Sequence, residues 1–98
     1  MKVTKIIKYS AAWCHPCRLF VEIFHKVSNK EEFKDIQFSE VDIEKDKDEN
    51  IYKYRIESIP TTLIFGEGDD NLIYRLIGNV SEKDFINTIN SAKELKDE

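Results

Sequence analysis

Most of the features that announce a function are missing from this chain. Two cysteines among 98 residues are too few for a framework of structural disulfides. No stretch approaches the ~20 apolar residues of a membrane-spanning helix. Lys2, Lys5 and Lys8 make the start basic, but no apolar segment of secretory type follows them, so no secretion signal is expected. The 15 Lys and Arg stand against 19 Asp and Glu, for a net charge of −4, and the basic residues do not cluster. That balance argues against nucleic acid or an anionic membrane surface as a partner. There is no nucleotide-binding motif. A zinc site would need a second Cys-x-x-Cys or paired histidines beside Cys14, His15 and Cys17, and the acidic stretch Glu44 to Glu49 lacks the glycine and closing glutamate of a calcium loop, so no metal is expected. What is left is an ordinary soluble composition, 41% hydrophobic and 35% charged, at a length that suits one domain over residues 1–98.

Both cysteines fall in one short stretch, Trp13-Cys14-His15-Pro16-Cys17. Thiols separated by two residues can close into a disulfide and reopen, storing and passing on two electrons. The apolar run Val3 to Tyr9 leads in as a strand, and Leu19, Phe20, Ile23, Phe24 and Val27 lead out at helical spacing to about Ser28. Cys14 is therefore expected at a strand-to-helix junction, where unpaired N–H groups and the positive end of the helix dipole favour a thiolate. Cys14 is the expected nucleophile, and Cys17, one turn on, the resolving thiol. Pro16 suits the first helical turn, where its missing N–H costs nothing.

Farther along, Ile36, Phe38, Val41 and Ile43 mark a second strand whose alternation slips at Glu40, as a central strand covered on both faces would allow. Asp46, Asp48 and Glu49 are expected in the first turn of a short helix ending near Arg55. Thr61–Phe65 and Leu72–Ile77 read as a hairpin around the turn 66–71. Ser81 is expected to cap a last helix, with Asp84 answering it, Val80 stapled to Phe85, and Phe85, Ile86, Ile89 and Ala92 on its buried face. The charged tail from Lys93 to Glu98 is expected to fray. The order is β-α-β-α-β-β-α, an α/β fold with a mixed four-stranded sheet and helices on both faces.

These residues resemble the thioredoxin family. Tyr9 to Cys17 is similar to the family's active-site segment, in which WCGPC follows the central strand. Val41-Asp42-Ile43 resembles the end of its second core strand, Ile59-Pro60-Thr61 its cis-proline loop, and Gly78 the glycine after its last strand. The resemblance implies a cis bond before Pro60, packing of Pro60 against the cysteine pair, and substrate contact through Trp13, Ile59, Pro60 and Gly78. Only 13 residues precede Cys14, so the minimal form of the thioredoxin fold is expected.

Two departures bear on the chemistry. His15 stands where the family has glycine; a protonated imidazole there would favour the thiolate and lift the reduction potential above the roughly −270 mV of thioredoxin, toward the about −180 mV of a disulfide isomerase. Lys8 occupies the position, six residues before Cys14, where thioredoxins usually bury an aspartate that handles the resolving thiol's proton. An ammonium lowers a thiol's pKa instead of accepting its proton, so Lys8 is expected either to stabilise the Cys17 thiolate or to turn its head to solvent. His25 is expected to be a solvated side chain.

The expected activity is reduction of protein disulfides by a cytoplasmic monomer, with no cofactor beyond the Cys14–Cys17 pair. A separate reductase or a small thiol would supply the electrons. The alternatives are glutaredoxin-like or isomerase-like exchange tuned by His15, and a non-catalytic binding module.

Overall fold

The computed structural model describes residues 1–47 and 49–95. Val3–Ser10 forms β1, Gln37–Asp42 β2, Thr61–Gly66 β3 and Leu72–Ile77 β4, in one sheet of order β2-β1-β3-β4. β1 runs parallel to β2 and antiparallel to β3, and β3 and β4 form the antiparallel hairpin. The helices are α1 (His15–Ser28), α2 (Asn50–Lys53) and α3 (Glu82–Lys93).

The two faces of the sheet are covered differently. Ile6 and Ile64 meet Phe20, Phe24 and Val27 of α1 and Phe85, Ile89 and Ala92 of α3 in the larger core. Phe24 and Phe85 stack there with ring centroids 5.9 Å apart. On the opposite face Tyr9, Leu63 and Phe65 are covered by Ile51, Tyr54 and Ile56 around α2. The α1 crossover joins the parallel pair β1 and β2 and carries the end of β1 straight into the cysteine motif. All six residues of β3 are buried, which its apolar, β-branched composition allows.

Three expectations change. β2 is an edge strand rather than a central one. The alternation slips at Glu40 because that carboxylate faces Lys8 in register on β1 and serves as its counter-ion, a role an apolar residue cannot fill. α2 has no acidic residue in its first turn: Glu49 lies outside it as the cap, in the left-handed region at φ 54°, and Asp46 accepts from the Ile51 N–H at 3.0 Å from farther back. Asp48 lies outside the described residues. The expected fraying does not hold at Lys93, which ends α3; its carbonyl accepts from the Met1 ammonium at 2.8 Å, as does that of Leu95. Residues 96–98 of that tail lie outside the described residues. At the other end of α3 the Ser81 hydroxyl accepts from the Asp84 N–H at 3.0 Å, and Val80 packs on the core that holds Phe85.

Candidate active site

β1 ends at Ser10, the chain turns through Ala11–Trp13, and α1 starts at His15 with Cys14 as its N-cap in extended conformation. A cap residue's side chain usually accepts from the first orphan N–H groups, and here the acceptor is sulfur: Cys14 Sγ receives the Cys17 N–H at 3.3 Å. The Cys14 N–H in turn donates to Ala11 O at 3.2 Å, closing the turn. Pro16 is exposed in the first turn of α1, where no hydrogen bond is lost. His15 beside it is exposed.

Cys14 and Cys17 are joined in a disulfide with Cα atoms 5.2 Å apart. Both are buried, and with Ala11 they form a small cluster against Ile43 and Ile59. The Ile59–Pro60 peptide bond is cis and Pro60 is buried. The Ile59 carbonyl oxygen lies 3.7 Å from Cys14 Sγ. In the oxidised pair that sulfur carries no hydrogen, so this is a contact; reduction would give it a thiol able to donate. Gly78 secures the loop from the far side, donating its N–H to Pro60 O at 2.8 Å from a backbone with φ 90°. A side chain rarely adopts that angle, which accounts for glycine here. Trp13 is 63% exposed and lines a groove with Ile43, Ile51, Ile56 and Ile59. The motif, the proline loop and Gly78 thus converge, although Gly78 touches Pro60 rather than either cysteine.

Lys8 does not turn to solvent, the second of the two expectations for it. β1 is an inner strand, so the Lys8 side chain is enclosed on the α1 side of the sheet and only 2% exposed. Its Nζ lies 2.7 Å from Glu40 Oε1 and 5.0 Å from the centre of the Phe24 ring. His25 is half exposed as expected, but its Nε2 pairs with Glu40 Oε2 at 2.9 Å. Burial pushes the Glu40 carboxyl up; hydrogen bonds from Lys8 and His25, with the Lys8 charge, outweigh that and hold it below its ordinary value. On the other sheet face, burial pushes the Tyr9 hydroxyl up to about 12, helped by Asp46 and Tyr54, so it stays neutral. Sequence reasoning missed Glu40 as a site residue, and its signal was the break in alternation. Among the described residues no three His, Cys, Asp or Glu side chains cluster as a metal site.

A sequence model of the thioredoxin family matches residues 1–91. The chain belongs to the thioredoxin family. It is 33% identical over 90 residues to a thioredoxin of Mycoplasma genitalium, covering 92% of this chain and 83% of the relative. It is 35% identical over 92 residues to the chloroplastic thioredoxin Y1 of Arabidopsis thaliana, covering 93% of this chain and 51% of that relative. The chain therefore spans about half the length of that protein, and 56% of a thioredoxin of Aspergillus fumigatus. The solved thioredoxin of Malassezia sympodialis superposes with a TM-score of 0.78 at 24% identity, covering 93% of this chain and 77% of that one. The α/β architecture with its mixed four-stranded sheet is the thioredoxin fold.

Proposed function

We propose that the chain is a thiol–disulfide oxidoreductase that reduces disulfides in proteins. The observation that carries this reading is the Cys14–Cys17 disulfide at the N-terminus of α1, against the Ile59 carbonyl. In the reduced protein the Cys14 thiolate attacks one sulfur of a substrate disulfide. A Cys14–substrate bond forms and the other substrate sulfur leaves as a thiolate. Cys17, having lost its proton, attacks Cys14 Sγ, so the Cys14–Cys17 bond forms and the second substrate thiolate departs. Two electrons pass to the substrate, and the two thiol protons end on its sulfurs or in solvent.

Trp13 and the apolar groove beside it favour an extended substrate segment, with the Ile59 backbone pairing to it beside Pro60. The Cys pair suffices as redox group, and a separate reductase or small thiol returns the electrons. A cytoplasmic monomer fits the composition, and among the described residues no helix is long and apolar enough to cross a membrane. The exposed His15 is the residue proposed to tune the potential.

Insulin precipitation with dithiothreitol tests the activity. The protein should accelerate it and Cys14→Ser should abolish the acceleration; equal rates with and without the protein would overturn the reading in favour of a binding module. Equilibration in glutathione buffers would then give the potential, and a value near that of the isomerases would favour exchange over reduction.

A further inference from the structure

Behind the disulfide, beside Cys17 and not lined by Trp13, lies an open pocket of about 280 Å3 whose lining includes Lys8, Ala11, Cys17, Arg18, Glu40 and Asp42. The resolving cysteine therefore lines the same open pocket as a charge pair that the exchange reaction above does not use. We propose that the buried Lys8 ammonium, clamped by Glu40 at the mouth of this cavity, is the charge that ionises the Cys17 thiol, in place of a proton-accepting carboxylate. This rests on the exchange reaction proposed above and names how its second step is driven.

The charges facing the cavity come from two strands and one helix. Lys8 comes from β1, Glu40 and Asp42 from β2, and Arg18 from α1, whose His25 reaches Glu40 from outside. Two of these are engaged elsewhere: Arg18 donates to Ala12 O at 3.1 Å, and Asp42 accepts from the Glu44 N–H at 2.9 Å. On the other side of Lys8, β3 contributes no charge; its partner in register is Thr62, whose buried hydroxyl finds no partner among the described residues.

Within the Lys8–Glu40 pair, burial decides which charge Cys17 feels. The ammonium side chain is 2% exposed and the carboxylate 41%. Water screens the half-exposed carboxylate more strongly than the ammonium, whose side chain is enclosed. The pair therefore presents its positive end to the thiol, in the same sense as the α1 dipole. Glu40 is the poorer candidate for the base, because the hydrogen bonds from Lys8 and His25 that hold its carboxyl below the ordinary value make it a weaker proton acceptor. In the second step the Cys17 proton leaves to solvent through the cavity, and Cys17 sulfur then attacks Cys14 Sγ as already written. Lys8 is a positioning charge in this scheme, and Glu40 acts through it.

The expected gain is modest and pH-dependent. Lowering a thiol's pKa by about one unit gives roughly tenfold more thiolate at neutral pH, and the weaker nucleophile returns about threefold of that, leaving a net gain of about threefold. The test begins with Cys14→Ser, in which Cys17 is the lone thiol and can be titrated by its thiolate absorbance without any substrate. Adding Lys8→Met should raise the Cys17 pKa by about one unit, and adding Glu40→Gln should lower it, since the ammonium is then uncompensated. An unchanged Cys17 in Lys8→Met, or a raised one in Glu40→Gln, would overturn the proposal. If Lys8→Met does not fold, Glu40→Gln, at the exposed end of the pair, decides alone: only a lowered Cys17 pKa supports it.

With both cysteines present, resolution of a preformed mixed disulfide should be about threefold slower in Lys8→Met at neutral pH, recover at alkaline pH, and be no slower in Glu40→Gln. Slower resolution in Glu40→Gln would make the carboxylate the base and overturn the scheme. Because the titration needs no substrate, loss of insulin reduction would defeat the proposed function while leaving the Lys8 effect measurable, and the converse result would separate them equally well.

Discussion

Cys14 and Cys17 stand 5.2 Å apart at Cα, yet what lies in front of the first and behind the second shares little chemistry. In front are the exposed Trp13 ring, the Ile59 carbonyl, the cis Pro60 linkage and a groove of Ile43, Ile51 and Ile56. Behind are Lys8, Glu40, Asp42 and Arg18 around a cavity. The front offers apolar surface and the Ile59 backbone beside a cis proline, the means by which a folded protein accepts an extended segment of variable sequence. The rear offers fixed charge, which serves a thiol whose one partner is always Cys14. A two-residue spacer inside one helical turn is enough to separate recognition from electrostatics, because Cys14 lies against the Ile59 carbonyl while Cys17 lines the pocket that holds Lys8 and Glu40.

The largest effect should come from breaking the rear pair, and it should be lopsided. Glu40→Ala leaves a buried ammonium without its carboxylate; removing one partner of a fully buried pair costs about 3–5 kcal/mol, and the exposure of Glu40 reduces this to about 2 kcal/mol. Lys8→Met removes the buried charge and keeps the length of the side chain against Phe24, so it should change stability by less than about 1 kcal/mol. Chemical denaturation of the two variants measures this, and equal losses would show that the ammonium already finds water in the cavity. The front should respond through binding instead. Trp13→Ala, at a position 63% exposed, should leave the denaturation midpoint in place yet raise the KM for a protein disulfide roughly tenfold, with no change for a small disulfide that cannot reach the groove. A loss with both substrates would move Trp13 from recognition to support of the motif itself.

The front was far more legible in the sequence than the rear, for a physical reason. Cys14, Pro16 and Cys17 carry their chemistry in type and spacing over a single turn, and Pro60 and Gly78 are marked by the resemblance to the thioredoxin family, at positions where the structure has a cis bond and a φ of 90°. Lys8 could not be read the same way. Its side chain takes its direction from β1 being an inner strand and its partner from the register with β2, and neither is local. The same blindness placed β2 in the middle of the sheet, since a strand with apolar residues on both sides of a polar one looks covered whether or not it lies at an edge. α2 was shortened for a different cause: Glu49 and Arg55 adopt φ 54° and 52° without being glycine, and no sequence rule marks such positions.

Acid offers the smallest and most selective way to probe the rear. The Glu40 carboxyl is held below its ordinary value of 4.5 in the folded protein. A carboxyl whose folded pKa is depressed stabilises the fold fully above its unfolded pKa, and that stabilisation disappears as pH falls through the folded value. Denaturation midpoints should therefore fall more steeply below about pH 4.5 for the native chain than for Glu40→Gln, a difference of a few tenths of a kcal/mol, smaller than for Glu40→Ala because a protonated carboxyl still accepts the Lys8 hydrogen bond and water screens this half-exposed group. Asp70 makes the informative control. Hydrogen bonds from Tyr54 and Lys53 also hold its carboxyl low, but it sits on the open surface across the sheet, so Asp70→Asn should show the same sign and be weakened by salt. The Glu40 contribution should persist in salt, because its partner is the enclosed ammonium of Lys8. If salt erased both alike, the ammonium would have to be as well solvated as Lys53, and the contrast between the two sides of the disulfide would lose its electrostatic basis.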